Sequence, residues 1–515
     1  MAPQAEKLWI AGQEVEGTGE TIPVEDPSTG TIFAHCHSAS VNDVDDAVRR
    51  AYETFQSGVW SRRDRHLRAD VLEKAAELLS DNLADLIALE VLQTGRAIRE
   101  MKAQVPSLVK WFKYYAALIR TEERPVLPTT GKLHNWVDRR PLGVVVQITP
   151  FNHPLLIAVK KIAPALAAGN CIILKPSELT PLTSLKLGKI LKDAGVPDGV
   201  FTVLNGYGAT TGKALVSHPL VKKVDVTGGT PSGRAIGAIA GGNLAHFTAE
   251  LGGKAPVIVT RHANLELAVN GVAFGSFIAS GQTCVAATRI IVHSAIFEPF
   301  VEKIAAKAES IRRRIGAPAN VDSMMGPIIS KKQWDHVSEL VEDAKRTGLE
   351  TAVGGERMSG KSSLDDFELS SGYFYPPTVL VHRPGTAIES HRIWKEEAFG
   401  PVIVVTSYDT EDQALTLAND SEFGLGAAVW TKDLSEAYRM SDRIESGICW
   451  INTHHRNDPS SPWGGIGSSG VGSENGVAAY QAYTAMKSII INYADEQEAA
   501  SEDWFREGTE QVRYG

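Results

Sequence analysis

From residue 142 onward, short apolar runs alternate with helical stretches of about a dozen residues, and this alternation restricts the fold more than any other feature. The runs LGVVVQI (142–148), CIILK (171–175), GVFTVLNG (199–206), KKVDVTGG (222–229) and HFTAELGG (246–253) read as strands. Between them lie the helical segments 154–169, with Pro164 as an interruption and Gly169 as a stop, 180–195, 210–219 and 231–240. A chain that repeats strand, helix, strand in this way must build βαβ units on a parallel sheet. A second series follows, with strands 256–260, 289–293, 402–407, 427–430 and 448–452 and helices 265–279, 296–313, 332–346, 410–419 and 434–445. The reading is an α/β protein of two domains that meet near 250–254.

The first 141 residues differ in pattern. Helices are expected over 42–57 from an Asx cap, over 64–93 with Leu67, Val71, Leu72, Ala75, Leu78 and Leu79 spaced for one face, and over 104–120. An extended connection with strand character near 132–138 comes next. With 515 residues, the chain is long enough to bury its own core without disulfides or a structural metal. Its net charge of −9 has no basic excess that would attract nucleic acid. Four scattered cysteines with no CxxC pair argue against a zinc site and suit a reducing compartment. The start, MAPQAEKLW, lacks the apolar stretch of a signal peptide, and no run is long enough to cross a membrane. A cytoplasmic enzyme with no metal site and no membrane or nucleic-acid partner is the expectation. The acidic tail from 494 reads as solvated chain or a subunit contact.

Five motifs carry chemistry. In GQTC (281–284), small neighbours leave Cys284 the room that a thiol nucleophile needs; buried packing is the alternative, and it suits Cys36, Cys171 and Cys449. In AELGGK (249–254), Glu250 ends a strand before two glycines, where it can act as a general base or stand as a solvated turn residue. In TPFNHP (149–154), Asn152 follows a buried strand and offers a neutral amide donor for an oxyanion, or a plain Asx turn. VTGGTPSG (226–233) frames a strand-to-helix loop between Gly228 and Gly233 that brings backbone N–H groups toward a phosphate. In KPSE, Lys175 and Glu178 can bond ribose hydroxyls, and an acid there favours NAD over NADP.

Taken in order, TPFNHP, KPSE, TGGTPSG, ELGGK, GQTC, EEAFGP and SPWGG resemble the aldehyde dehydrogenase superfamily over roughly residues 20 to 490. The resemblance implies a Rossmann-like cofactor-binding domain (1–121 and 140–250, with a return segment 447–481) and an α/β catalytic domain (251–446). It also implies a small β-arm for oligomerisation (122–139 with 482–494), a C-terminal tail (495–515) and a homodimer or homotetramer. Cys284 would attack the aldehyde, Asn152 and the backbone N–H of Cys284 would hold the oxyanion, and Glu250 would activate the water that hydrolyses the thioester. Lys175 and Glu178 would contact the adenosine ribose, and Gly228 to Gly233 would sit beside the pyrophosphate. Thr227, Gly228 and Gly229 would lie near the nicotinamide, Glu397 on its ribose and Phe399 alongside. Two departures stand out: His153 and Phe151 flank the asparagine in place of a WNFP-like pattern, and Gly229 replaces a common Ser.

The resemblance also points to the substrate entrance, formed by helix 104–120, the loop before Cys284 and segment 452–463. Its candidates are Trp111, Tyr115, Leu118, Phe277, His455, Arg456, Asn457 and Trp463. The aromatic members suit an aromatic or medium-chain aliphatic aldehyde. Arg456 suits instead a semialdehyde with a carboxylate. Trp111 and Tyr115, spaced i, i+4, fit core packing equally well.

Overall fold

The structure, a computed structural model, describes residues 5–383, 387–500, 504, 505, 507 and 508. Two large sheets dominate it. The first has eight strands, and its parallel centre runs Phe201–Val203, Cys171–Lys175, Val144–Ile148, Val221–Thr227, His246–Glu250. In chain order this is 3-2-1-4-5, so the direction of winding reverses between Val144–Ile148 and Val221–Thr227. A crevice for ligands opens at such a reversal, beyond the carboxyl ends of the strands. Antiparallel additions complete both edges: Leu8–Ile10 and Gln13–Val15 on one side, Gly470–Val471 on the other.

The helix Pro154–Ala168 explains much of the first core. Every one of its residues is buried, Pro154 opens it at the first turn, and Gly169 closes it with a left-handed φ of 93°. Pro164 does not interrupt it, contrary to expectation. Burial on all sides holds the helix, and Gln147 Nε2 donates to Lys161 O at 2.7 Å within the turn that the proline weakens.

The second sheet has seven strands, with Ala255–Val259 and Ala287–His293 at its centre. Its strands bury both faces. Val257 and Val259 join one apolar cluster and Ile258 the opposite one; Ile290 and Val292 divide from Ile291 in the same way. The turn Leu251–Lys254 is the whole connection from the last parallel strand of the first sheet to the first strand of the second. A three-stranded antiparallel sheet stands apart, with Thr484–Asn492 paired to Leu133–Pro141 over nine residue pairs and Val126–Leu127 alongside.

Several sequence-based boundaries shift. The helix Val41–Ser57 is capped by Ser40 and not by an Asx residue, because Ser40 and Asp43 form a reciprocal capping box. The expected helix 64–93 is two helices, Arg65–Asp81 and Leu83–Thr94, with a break at Asn82, and Leu67 is exposed. Likewise 104–120 resolves into Ile98–Gln104, a tight turn at Val105–Leu108 and Val109–Arg120. The hairpin Thr21–Asp26 with Thr31–His37 lacks a sequence signal that we read. In the acidic tail Glu496–Ala500 is helical, and most of 501–515 lies outside the described residues. No helix among the described residues is long and apolar enough to cross a membrane.

Candidate active site

A cavity of about 250 Å³ opens at the crevice of the first sheet, and it collects residues from every motif described above except KPSE. Phe151, Asn152 and His153 reach it from the loop after Val144–Ile148; Thr227, Gly228 and Gly229 from the end of Val221–Thr227; Glu250 from the end of the adjoining strand. Gly228 N donates to Glu250 O at 3.0 Å and locks these two strand ends together. Thr283 and Cys284 enter from the loop before Ala287–His293, and Glu397 and Phe399 from the EEAFGP turn.

The cysteine loop is a strained backbone. Ala279, Ser280 and Gly281 all have left-handed φ, at 52°, 56° and 70°. Such conformations cost non-glycine residues about 1–3 kcal/mol each and persist only where the surroundings impose them. Here Ser280 Oγ donates to Gly326 O at 2.7 Å, and Ala279 N to Glu100 Oε1 at 3.2 Å. Glycine is required at 281 twice over, because a Cβ there would stand 2.2 Å from Gly400 O. Asn152 Nδ2 donates to Gln282 O at 2.7 Å, so the amide is fixed against the chain two residues before Cys284.

Electrostatics follow from burial. Glu250 is 2 % exposed and neither carboxyl oxygen has a hydrogen-bond partner. Burial first, then the nearby Glu474, push its carboxyl well above the usual carboxylate range, against the pull of Lys160 and Lys161. The Cys284 thiol is pushed up to about 12 by burial and by Glu250, so it rests protonated and needs a base to become a nucleophile. Burial raises Glu397 to about 7, against the opposing effect of the Gly253 N–H bond at 2.9 Å. Beneath the cavity Glu474 accepts from Lys160 at 2.7 Å and from Lys161 at 2.5 Å, and Lys161 also holds Asp225. Burial alone would raise the Glu474 carboxyl, but the two lysines reverse this and hold it low.

Of the expected entrance residues, His455, Asn457 and Trp463 line the cavity. Trp111, Tyr115, Leu118 and Phe277 do not. The first three pack in the core of the first sheet, and Phe277 in that of the second, because helical spacing alone cannot distinguish a face turned to a core from one turned to a cavity. Arg456 is exposed and bonds its neighbour Thr453, so it faces solvent. Gly233 lies in the first turns of the helix Thr230–Gly242, where a Cβ would strike Leu251 at 2.3 Å; its space serves contact between the helix and the Leu251–Lys254 turn. Lys175 is buried, with Nζ bonded to Pro176 O at 3.0 Å, and Glu178 faces a separate hollow with Tyr207, Leu179 and Ile329. Sequence reasoning missed Lys160, Glu474 and the buried pair Arg96–Glu100. Two adjacent lysines in the otherwise apolar PLLIAVKKIAPALAAG were the available signal for the first.

The arrangement fits a dinucleotide. Gly229 and Thr230 begin a helix at the winding reversal, no side chain caps its first N–H groups, and a Cβ at Gly228 would meet nothing within 4 Å. Free N–H groups at a helix start attract phosphate. Comparison with known families matches residues 14–489 to the aldehyde dehydrogenase family. The chain belongs to the aldehyde dehydrogenase family. Among solved structures, PnpE in complex with nicotinamide adenine dinucleotide superposes with a TM-score of 0.91 at 38% identity, over 96% of this chain and 99% of that one. Betaine aldehyde dehydrogenase from Staphylococcus aureus in complex with NAD+ superposes with a TM-score of 0.92 at 33% identity, over 98% and 97%. The α/β fold and the Rossmann-like first sheet are thus those of this aldehyde dehydrogenase family.

Proposed function

We propose that the chain oxidises an aldehyde to a carboxylic acid with NAD, using Cys284 as nucleophile, Asn152 as oxyanion donor and Glu250 as base. The observation that carries this reading is the convergence of all three on one cavity at the winding reversal of the first sheet. Thr227, Gly228, Gly229, Glu397 and Phe399 would hold the nicotinamide half of NAD, and Lys175 and Glu178 the adenosine half beyond it. When bound, NAD supplies the hydride acceptor.

Glu250, with an ionised carboxylate of raised basicity, takes the thiol proton from Cys284. The sulfur then bonds to the carbonyl carbon, and the electron pair released onto oxygen is met by the Asn152 amide, which donates without a proton to lose. After oxidation a thioester remains on Cys284. Once Glu250 has released the thiol proton to solvent, it accepts a proton from water as that water attacks the acyl carbon, and the thiolate leaves. Glu250 distinguishes this hydrolytic course from transfer of the acyl group to coenzyme A.

The substrate is an aromatic or medium-chain aliphatic aldehyde, since Trp463, Leu156 and Ile157 give the cavity apolar walls. For the alternative, a semialdehyde with a carboxylate, Arg456 is turned to solvent and Lys160 is the cation that lines the cavity. The sheet of 126–141 and 484–492 serves as a subunit arm in a homodimer or homotetramer; Met486, Ile490 and Ile491 stand exposed on it. Four unpaired cysteines suit a cytoplasmic site of action. An aldehyde panel with NAD, followed at 340 nm with and without coenzyme A, tests the reading. NADH that needs no coenzyme A and vanishes in Cys284→Ala is expected, and full turnover by Cys284→Ala overturns it.

A further inference from the structure

His153, Lys160, Asn457 and Trp463 form a connected stretch of the cavity wall, and its polar atoms share one property. Lys160 Nζ lies 4.8 Å from the centre of the Trp463 ring, and the His455 ring links the two ends, 6.0 Å from His153 and 6.2 Å from Trp463. The question is which of these atoms donate and which accept.

His153 answers first. Arg96 Nη1 stands 2.7 Å from His153 Nδ1. A guanidinium only donates, so Nδ1 must be the accepting nitrogen and the ring proton sits on Nε2. Nε2 is buried and has no partner in the protein, although His153 is only 4 % exposed.

Asn457 is fixed by a longer chain of the same logic. The indole Nε1–H of Trp111 only donates, and it lies 2.8 Å from Asn475 Oδ1, which must therefore be the amide oxygen. Asn475 Nδ2 then donates to Asn457 Oδ1 at 2.8 Å. Asn457 Oδ1 thereby has a partner inside the protein, and its Nδ2 is left to donate. Lys160 has three N–H groups, one of them directed at Glu474 Oε2 at 2.7 Å. The Glu474 oxygens are taken by Lys160 on one side and Lys161 and Thr227 on the other. The acceptor atoms of His153 and Asn457 each have a protein donor, and each of the three side chains retains a donor.

We infer that His153, Lys160 and Asn457 together form a donor subsite and that the preferred aldehydes carry a hydrogen-bond-accepting oxygen remote from the reacting carbonyl. The inference rests on the aldehyde-oxidising reading above and extends it to a substrate class. Such an oxygen is an ether, keto or carboxylate oxygen on a ring or chain held against Trp463. An unsubstituted aldehyde of the same size forgoes this bond and leaves the buried His153 Nε2–H unpaired, which costs more than the missing bond itself.

The test compares kcat/KM with NAD for benzaldehyde, 3- and 4-methoxybenzaldehyde and 3- and 4-carboxybenzaldehyde. At least one acceptor-bearing aldehyde is expected to exceed benzaldehyde by about tenfold or more, the worth of one well-placed hydrogen bond. The methoxy arm reads a neutral acceptor and the carboxy arm an anionic one. In Asn457→Leu, Lys160→Met and His153→Phe, the margin over benzaldehyde should shrink severalfold. Asn457 is half-buried on a loop, so its variant keeps the test readable if a buried substitution misfolds. A smaller margin in the unaltered protein, or one that all three variants preserve, overturns the inference. Absence of NADH with all five aldehydes overturns the underlying reading and the inference with it.

Discussion

A Cβ added at Gly253 would stand 2.1 Å from the carbonyl oxygen of Cys284. The turn between the two sheets thus presses directly on the backbone of the nucleophile, and only a residue without a side chain permits that approach. Gly253→Ala should move Cys284 and lower kcat by about a hundredfold, in line with small displacements of reacting groups elsewhere. A fall in Tm should accompany it, and steady-state kinetics with a folded, NAD-binding variant is the check.

Asn152→Ala removes the amide that faces the cavity and its bond to Gln282 O. Loss of one oxyanion donor typically costs about 10²–10³ in kcat. The loss should fall on kcat, with KM changed little, because the charge it meets develops only during reaction.

Glu250→Gln should slow the first turnover, which needs the thiol proton removed, and slow thioester hydrolysis more, so that an acylated Cys284 still accumulates and is seen by intact mass. The pH profile gives a second readout. Because burial raises the Glu250 carboxyl, the base is fully ionised only above the ordinary carboxylate range. Turnover should therefore climb with pH beyond 4.5 in the unaltered protein, and this limb should be missing in Glu250→Gln.

Glu397 makes a prediction for stability. Its carboxyl is raised from 4.5 to about 7 by burial. Between these values the folded chain holds a proton that the unfolded chain has lost, so stability falls as pH rises through the window. Glu397→Gln lacks this decline. Relative to the unaltered protein it should gain about 1–3 kcal/mol between pH 5 and 8, measured by denaturant titration at each pH.

Glu178 lies in a hollow with Tyr207 and Leu179, apart from the Cys284 cavity. A carboxylate there repels a 2′-phosphate, so kcat/KM should favour NAD over NADP. Glu178→Gln should narrow the ratio severalfold, chiefly through KM for NADP.

What the sequence disclosed follows from physics of different range. The βαβ series was legible because buried parallel strands read as unbroken apolar runs, as in CIILK and VVVQI. Glu250 and Asn152 were legible because each lies where such a run ends, and Cys284 because Gly281 and its small neighbours leave room around the thiol. Trp111 was not: its periodicity is that of any buried helix, and its indole acts through Asn475 and does not line the cavity. Nor was Glu474, whose partners Lys160 and Lys161 are more than 300 residues earlier and give no local pattern. The left-handed run at Ala279 and Ser280 contradicts local preference, and only the contacts with Glu100 and Gly326 explain it.

The joint tie of Lys160 and Lys161 to Glu474 spans 313 residues of chain from Lys161 and closes late. During synthesis Lys161 can meet Asp225 early, whereas Lys160 waits for its counter-charge until Glu474 has been made. A chain cut short before Glu474 would keep Asp225 for Lys161 and have to bury Lys160 without its acid partner. Such a chain should stay open around this helix and yield to protease sooner than the full sequence does.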